Sequence, residues 1–226
     1  MPTTVVAIDG PSGVGKSTVA RRVAQALSLP YLDTGARYRA IGLAARRAGV
    51  ALPVAEPSRV VALAERADVR FTAGAAGGRT FLDGEDVSAE IRTPEVSRFA
   101  SAVSAIPGVR RRLAALQRQL ALAEGGVLEG RDIGTKIVPE TRHKFFLTAR
   151  PEVRAERRFL EFREKGTPQP YERVLQEIVE RDRADSTRSD SPLTCDDTYT
   201  VVDTSDLTAD AVVERVLEAI VGRSDR

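Results

Sequence analysis

Apolar residues fall along this chain in two rhythms. Short unbroken runs such as Val5-Val6-Ala7-Ile8 are β-branched and read as strands buried in a parallel sheet. Longer stretches repeat their apolar positions every three or four residues, the spacing of one helical face. Ser17 to Leu29 is the first, with Val19, Ala20, Val23, Ala26 and Leu27. Further short strands fall at Pro30–Asp33, Val127–Glu129, Lys144–Leu147 and Tyr199–Val202. Helical patterns are expected over about 36–49, 58–66, 94–104, 107–123, 151–165, 171–185 and 207–221. Strands alternating with helices predict an α/β protein. Its core would be a doubly wound, five-stranded parallel sheet with helices on both faces and ligands at the strands' C-terminal ends. The rhythm changes at about 67–90. Val69–Thr72 and Thr80–Leu82 look like strands joined by a flexible link at 73–78, and Asp83-Gly84-Glu85-Asp86 reads as a tight turn into Val87-Ser88. That predicts a small antiparallel insertion. Gly166–Pro170 reads as a mobile loop.

Between the first strand and the first helix lies Gly10-Pro11-Ser12-Gly13-Val14-Gly15-Lys16-Ser17-Thr18. A glycine, four residues, then Gly-Lys-Ser is the phosphate-binding loop pattern, and strand, loop and helix come in the order that pattern requires. Glycines let backbone N–H groups turn in around a phosphate, and the helix N-terminus adds partial positive charge. Lys16 has the reach for the β- and γ-phosphates, and the Ser17 hydroxyl can ligate Mg2+. The pattern points to a nucleoside triphosphate site.

Composition narrows the picture. The 226 residues suit one α/β domain with insertions. No apolar run reaches the roughly 20 residues of a membrane span, and the first strand begins at once, so no signal peptide and a cytoplasmic protein are expected. Cys195 is the only cysteine, which excludes an internal disulfide and a cysteine metal cluster. His143, the only histidine, sits between Arg142 and Lys144 and is expected at the surface, so histidine-based catalysis is excluded. Lysines occur only at 16, 136, 144 and 165, so nearly all cations are arginines, whose forks match phosphates and carboxylates. A net charge of only +2 argues against a nucleic-acid partner.

Other clusters surround the phosphate loop. Thr34-Gly35-Ala36-Arg37-Tyr38-Arg39 follows the second strand, and Gly130-Arg131-Asp132-Ile133-Gly134-Thr135 follows the third parallel one. Arg181, Asp185 and Arg188 form one stripe if their helix continues far enough, and Arg150, Arg154, Arg157 and Arg158 form another beside the loop at 166–170. One arginine stripe alone is ordinarily a solvated helix face. Clusters converging on one sheet edge instead indicate a phosphate-handling crevice. Among nucleotide-dependent classes, a guanine-specific switch is disfavoured, because the chain has no asparagine for an Asn-Lys-x-Asp motif. Other small-molecule kinases, a nucleotide-dependent binding protein and an RNA-binding role stay as alternatives.

In sequence order, several runs resemble the bacterial cytidylate kinases, which carry the phosphate-binding (P-loop) fold. They are Ile8-Asp9-Gly10-Pro11-Ser12-Gly13, Leu32-Asp33-Thr34-Gly35-Ala36 with Tyr38-Arg39, and Asp83–Ser88 with Glu90-Ile91-Arg92. Gly130–Thr135, Glu180-Arg181-Asp182, Asp185–Arg188 and Ser191-Pro192-Leu193 complete the likeness. The resemblance implies transfer of the γ-phosphoryl of ATP to CMP or dCMP with Mg2+, by a monomer; the alternative is a different monophosphate or shikimate as acceptor. It implies a core of 1–36, 107–150 and 171–226, a monophosphate-binding part at 37–106 carrying the insertion, and a lid at 151–170. Gly10 to Thr18 would hold ATP, with Ser17 on Mg2+ and Arg158 near adenine. Lys16, Arg131 and either Arg154 or Arg181 would serve the transferred phosphoryl. Thr34, Tyr38, Arg39 and Arg131 would surround the acceptor phosphate. Ser101, Arg110, Asp132 and Arg188 would read cytosine, and Asp185 with Arg181 would hold the ribose. Cytosine offers an amino donor beside two acceptors, which an acid and arginines complement. The chain departs from the family at Glu129, where aspartate usually precedes Gly-Arg-Asp near the magnesium, and at Arg37, which replaces an apolar residue. Cys195–Thr198 is a looser match.

Overall fold

The structure is a computed structural model describing residues 4–72, 78–164 and 166–224. The link expected at 73–78 therefore lies outside the described residues except for Gly78, as does Lys165, the expected end of a helix. In chain order the first elements are β1 (Val5–Asp9), α1 (Lys16–Ala26), β2 (Tyr31–Asp33), α2 (Thr34–Arg47) and α3 (Pro57–Arg66). Then come β3 (Val69–Thr72), β4 (Arg79–Leu82), β5 (Glu85–Asp86), α4 (Pro94–Ser104) and α5 (Pro107–Glu124). β6 (Gly126–Gly130), β7 (His143–Thr148), α6 (Pro151–Glu164), α7 (Tyr171–Thr187), β8 (Thr200–Asp203) and α8 (Ala209–Ser224) complete the chain. Two compact units result: Met1–Leu32 with Ala121–Arg226, and Asp33–Leu120.

The first unit is organised by a five-stranded sheet in the order β2-β6-β1-β7-β8. β1 pairs in parallel with β6 on one side and β7 on the other, and β7 pairs in parallel with β8. Every residue of β1 is buried, as expected for a central parallel strand covered on both faces. Val6, Ile8, Phe145 and Leu147 of the sheet pack with Val19 and Val23 of α1 and Val212, Val216 and Ile220 of α8. A separate apolar contact of Ala155, Phe162, Val174 and Ile178 joins α6 to α7. His143, expected at the surface, is half-buried, because it opens β7 opposite Val6 of the central strand.

The second unit centres on α2. Asp33 caps this helix, its carboxylate accepting the Ala36 N–H at 2.9 Å, so Thr34 and Gly35 form the first turn rather than precede it. Ile41 and Ala45 of α2 pack with Val60 of α3, Phe99 and Val103 of α4 and Leu113 of α5. The insertion is the three-stranded antiparallel sheet β3-β4-β5. Asp83 and Gly84 both have positive φ, which makes a two-residue hairpin turn. Pairing therefore resumes at Glu85 opposite Leu82, two residues before the expected Val87-Ser88.

Candidate active site

The end of β1 leads into the phosphate loop at Gly10. A Cβ on Gly10 would lie 2.1 Å from the Leu147 carbonyl oxygen, and its φ is +147°, so only glycine fits. Three of the loop's carbonyls are held by side chains. Pro11 O accepts from Lys16 Nζ at 2.6 Å and Ser12 O from Arg154 Nη1 at 3.1 Å. Val14 O accepts from Thr204 Oγ1 at 3.1 Å, and Thr204 is itself gripped by the Arg157 guanidinium. With these carbonyls fixed, the loop can turn its N–H groups toward a ligand. Gly15 opens α1 in the left-handed conformation with no side-chain cap and no acidic residue in the first turn, leaving the positive end of the helix dipole uncompensated by side chains.

Lys16 is buried, and burial is the largest influence pushing its ammonium well below the usual lysine range. Arg131 and Arg181 add to that push, while Glu129 and Asp185 oppose it. Three cations are thus gathered around one point, an arrangement that favours an anion. Ser17 Oγ donates to Glu129 Oε2 at 2.9 Å, and the Tyr31 hydroxyl donates to the other oxygen of that carboxylate. The longer glutamate at the departure from the family pattern therefore still reaches the Ser17 hydroxyl. A hydroxyl backed by a carboxylate is the hard oxygen donor set that suits Mg2+.

Arg131 and Asp185, which act on Lys16, belong to a largely buried ionic cluster. Arg131 Nε donates to Asp185 Oδ2 at 2.8 Å, and Arg188 Nη1 reaches Asp185 Oδ1 at 3.4 Å. Arg188 Nη2 stands 4.0 Å from Asp132 Oδ1, and its Nε donates to the Ser191 carbonyl. Burial pushes the Asp185 carboxyl up, but Arg131, Arg181 and Arg188 together outweigh it and hold the group below the ordinary carboxylate range. α7 extends past the expected Asp185 to Thr187, which carries Arg181 and Asp185 on one stripe, with Arg188 just beyond the helix end.

Arg154, expected near the transferred phosphoryl, lies against the phosphate loop with all of its guanidinium nitrogens engaged: Nε on Ala149 O, Nη1 on Ser12 O, and Nη2 on Asp182 at 2.6 Å. It holds the loop through its backbone. Arg158 lies over the Phe162 ring at 5.0 Å. In the second unit, Tyr38 and Arg110 meet in a cation–π contact of 5.5 Å, and Arg110 Nη1 donates to Ser104 O. Ser104 in turn bonds the backbone of Ser101, so Tyr38, Ser101 and Arg110 form one neighbourhood. Thr34 is buried in the first turn of α2, and Arg39 is half-buried further along it. Arg37, the other departure, is buried with its guanidinium 4.8 Å from the Phe71 ring of β3, which gives a cation a place among apolar residues. Sequence reasoning missed Tyr31, Thr204 and Asp182 as supports of the loop. Each lies far along the chain from the group it holds.

A phosphate loop at the end of a central parallel strand, with an acid-backed serine and converging arginines, defines a small-molecule kinase of the P-loop class. The fold agrees. The solved structure of an uncharacterized protein from Eubacterium ventriosum superposes with a TM-score of 0.55 at 12% identity, over 97% of this chain and 99% of that one. The chain belongs to the cytidylate kinase family, whose model matches residues 6–221. It is 50% identical to the cytidylate kinase of Caldanaerobacter subterraneus subsp. tengcongensis over 96% of this chain and 95% of that protein. It is 47% identical to the cytidylate kinase of Mycobacterium leprae over 99% and 98%.

Proposed function

We propose that this protein transfers the γ-phosphoryl of ATP to CMP or dCMP, giving ADP and CDP or dCDP. The observation that carries the reading is the cluster in which Arg131 and Arg188 share Asp185 while Arg188 faces Asp132. It supplies cations for an acceptor phosphate and an acid for the cytosine amine, in the same unit as the phosphate loop.

Gly10 to Thr18 cradle the donor phosphates, and Lys16 exchanges its bond to Pro11 O for phosphate oxygen. Ser17, backed by Glu129, holds Mg2+, which when bound offsets negative charge on the β- and γ-phosphates. No general base is needed, because the acceptor phosphate oxygen is already ionised near neutral pH. The residues therefore act by position and charge. Lys16, Arg131 and Arg181 stabilise the transferring phosphoryl, with Arg154 fixing the loop. Thr34, Tyr38, Arg39 and Arg131 serve the acceptor phosphate. Ser101, Arg110, Asp132 and Arg188 serve cytosine, and Asp185 with Arg181 the ribose. Arg158 takes the adenine side. UMP places an oxygen where CMP has its amine, so Asp132 disfavours it. Residues 1–36, 107–150 and 171–226 act as the core and 37–106 as the monophosphate-binding part, while a lid at 151–170 closes to exclude water.

The protein works as a cytoplasmic monomer, a reading that light scattering tests for the oligomeric state; among the described residues no helix is long and apolar enough to cross a membrane. Coupled ADP release with ATP and Mg2+, run in parallel on CMP, dCMP, UMP, AMP, GMP and shikimate, tests the activity. Turnover with CMP and dCMP well above the others is expected. Preference for another acceptor would overturn the cytosine assignments.

A further inference from the structure

Ile133–Ile137 forms a short turn of π-helix directly after Arg131 and Asp132. Its first N–H groups have no partner within the turn, a deficit that the side chain of the preceding residue ordinarily satisfies. Here the preceding residue is Asp132, a type well suited to capping, yet its carboxylate makes no cap hydrogen bond. The cap comes from another strand. Asp9 Oδ1 accepts the Ile133 N–H at 3.0 Å and Asp9 Oδ2 the Gly134 N–H at 2.9 Å. Asp9 Oδ2 also accepts the Tyr199 hydroxyl at 2.8 Å. Asp9 is fully buried, and a Cβ on Gly134 would lie 2.6 Å from the Tyr199 oxygen, so a larger residue there would displace the Tyr199 hydroxyl.

We propose that Asp9 and Tyr199 are positioning residues for phosphoryl transfer, capping the 133–137 turn from outside so that Asp132 can face the acceptor and Arg131 keeps its register with the phosphate loop. Asp9 suits this task because its backbone leads straight into Gly10. One residue thereby ties the start of the donor loop to the segment carrying the acceptor residues. In-line transfer is sensitive to such registry, and displacements of about 1 Å can cost on the order of 10²-fold in rate. The inference rests on the reading above that Arg131 and Asp132 serve the acceptor.

The surroundings of Asp9 give the inference a second handle. Burial raises its carboxyl to about 6 against the lowering effect of the Gly134 and Ile133 N–H groups and the Tyr199 hydroxyl. The other charged and titratable groups nearby are Asp132 on the turn, Cys195 and Asp196 before Tyr199, and Lys144 of β7, whose ammonium is bonded to Thr198. Protonating Asp9 turns one acceptor oxygen into a donor facing donors, which loosens the cap.

The test uses the full chain with Tyr199→Phe and, as the stronger variant, Asp9→Asn, whose amide faces one N–H with a second donor. Three quantities are read: amide exchange at Ile133 and Gly134, steady-state kinetics with CMP, and ATP affinity. Tyr199→Phe is expected to speed exchange at both amides and lower kcat/KM for CMP about fivefold. ATP affinity should stay within about twofold of the parent protein, and the acid limb of kcat should move to higher pH because Asp9 loses a donor. The second ionisation of the CMP phosphate, near 6, is common to both proteins and leaves that difference untouched. Should Asp9→Asn fail to fold, Tyr199→Phe still decides. Faster exchange with unchanged CMP kinetics and an unmoved acid limb overturns the positioning role, and so does unchanged exchange. Asp132→Ala measured alongside separates the two readings. If it leaves CMP turnover intact, the acceptor assignment fails; if it impairs turnover while Tyr199→Phe does not, only the cap inference fails.

Discussion

The phosphate loop and the ionic cluster to which we assign the acceptor lie in the same unit, but they are built from different materials. The loop is a contiguous run whose work is done by backbone N–H groups, with its carbonyls tied to Lys16, Arg154 and Thr204. The cluster is made of side-chain charges drawn from residues 131–132 and from 185 and 188, brought together by folding. The backbone N–H groups of such a loop carry no titrating charge, and the side chains it depends on are few: the glycines, Lys16 and Ser17. A side-chain site is selective, because each carboxylate and guanidinium can match one edge of a ligand, and it titrates.

The sharpest way to break the comparison is Lys16→Met. It should cut kcat by about 10³-fold with either CMP or dCMP while leaving discrimination against UMP unchanged, as steady-state kinetics on the three acceptors will check. A change in acceptor preference would merge the two regions. Asp132→Ala is expected to be next in size. It should lower kcat/KM for CMP by about 10²-fold and for UMP by much less, with ATP affinity preserved in a titration. Glu129→Gln probes the seam between the regions, since Glu129 lies near the end of β6, just before Arg131, yet holds Ser17 of the loop. The Mg2+ concentration for half-maximal rate should rise about tenfold, and Mn2+ titration followed by electron paramagnetic resonance reads the same loss without turnover.

The smallest effect is on stability against pH, where two buried carboxylates have opposite signs. Asp185 is held below the ordinary range, so its stabilising contribution is present above the unfolded value near 3.8 and is lost as pH falls through its folded value. Asp9 is raised to about 6, so between about 6 and 3.8 the folded state takes up its proton first and its contribution grows as pH falls. Urea unfolding from pH 7 to 2 should show Asp9→Asn losing more stability than the parent between pH 7 and 4, and Asp185→Asn losing less than the parent below about pH 4. The Asp9 difference should be about 1–3 kcal/mol. Equal slopes in all three proteins would remove the electrostatic part of the contrast.

Sequence alone fixed what depends on neighbours along the chain. Alternating rhythms gave the parallel sheet and its helices, because burial on both faces leaves strands with unbroken apolar runs. The phosphate loop was legible because its chemistry is local: Gly10, Gly15, Lys16 and Ser17 act where they stand. Arg131, Asp132, Asp185 and Arg188 could be singled out as clusters, but their roles came from the family likeness. Tertiary structure decided the rest. It showed that Glu129 reaches Ser17 despite its extra methylene and that Arg154 grips Ser12 O. It also showed Asp9 capping a turn more than a hundred residues further on. A side-chain hydrogen bond between distant segments leaves no periodic trace in sequence. Only the packing of β1 beside β6 and β7 brings those atoms within reach.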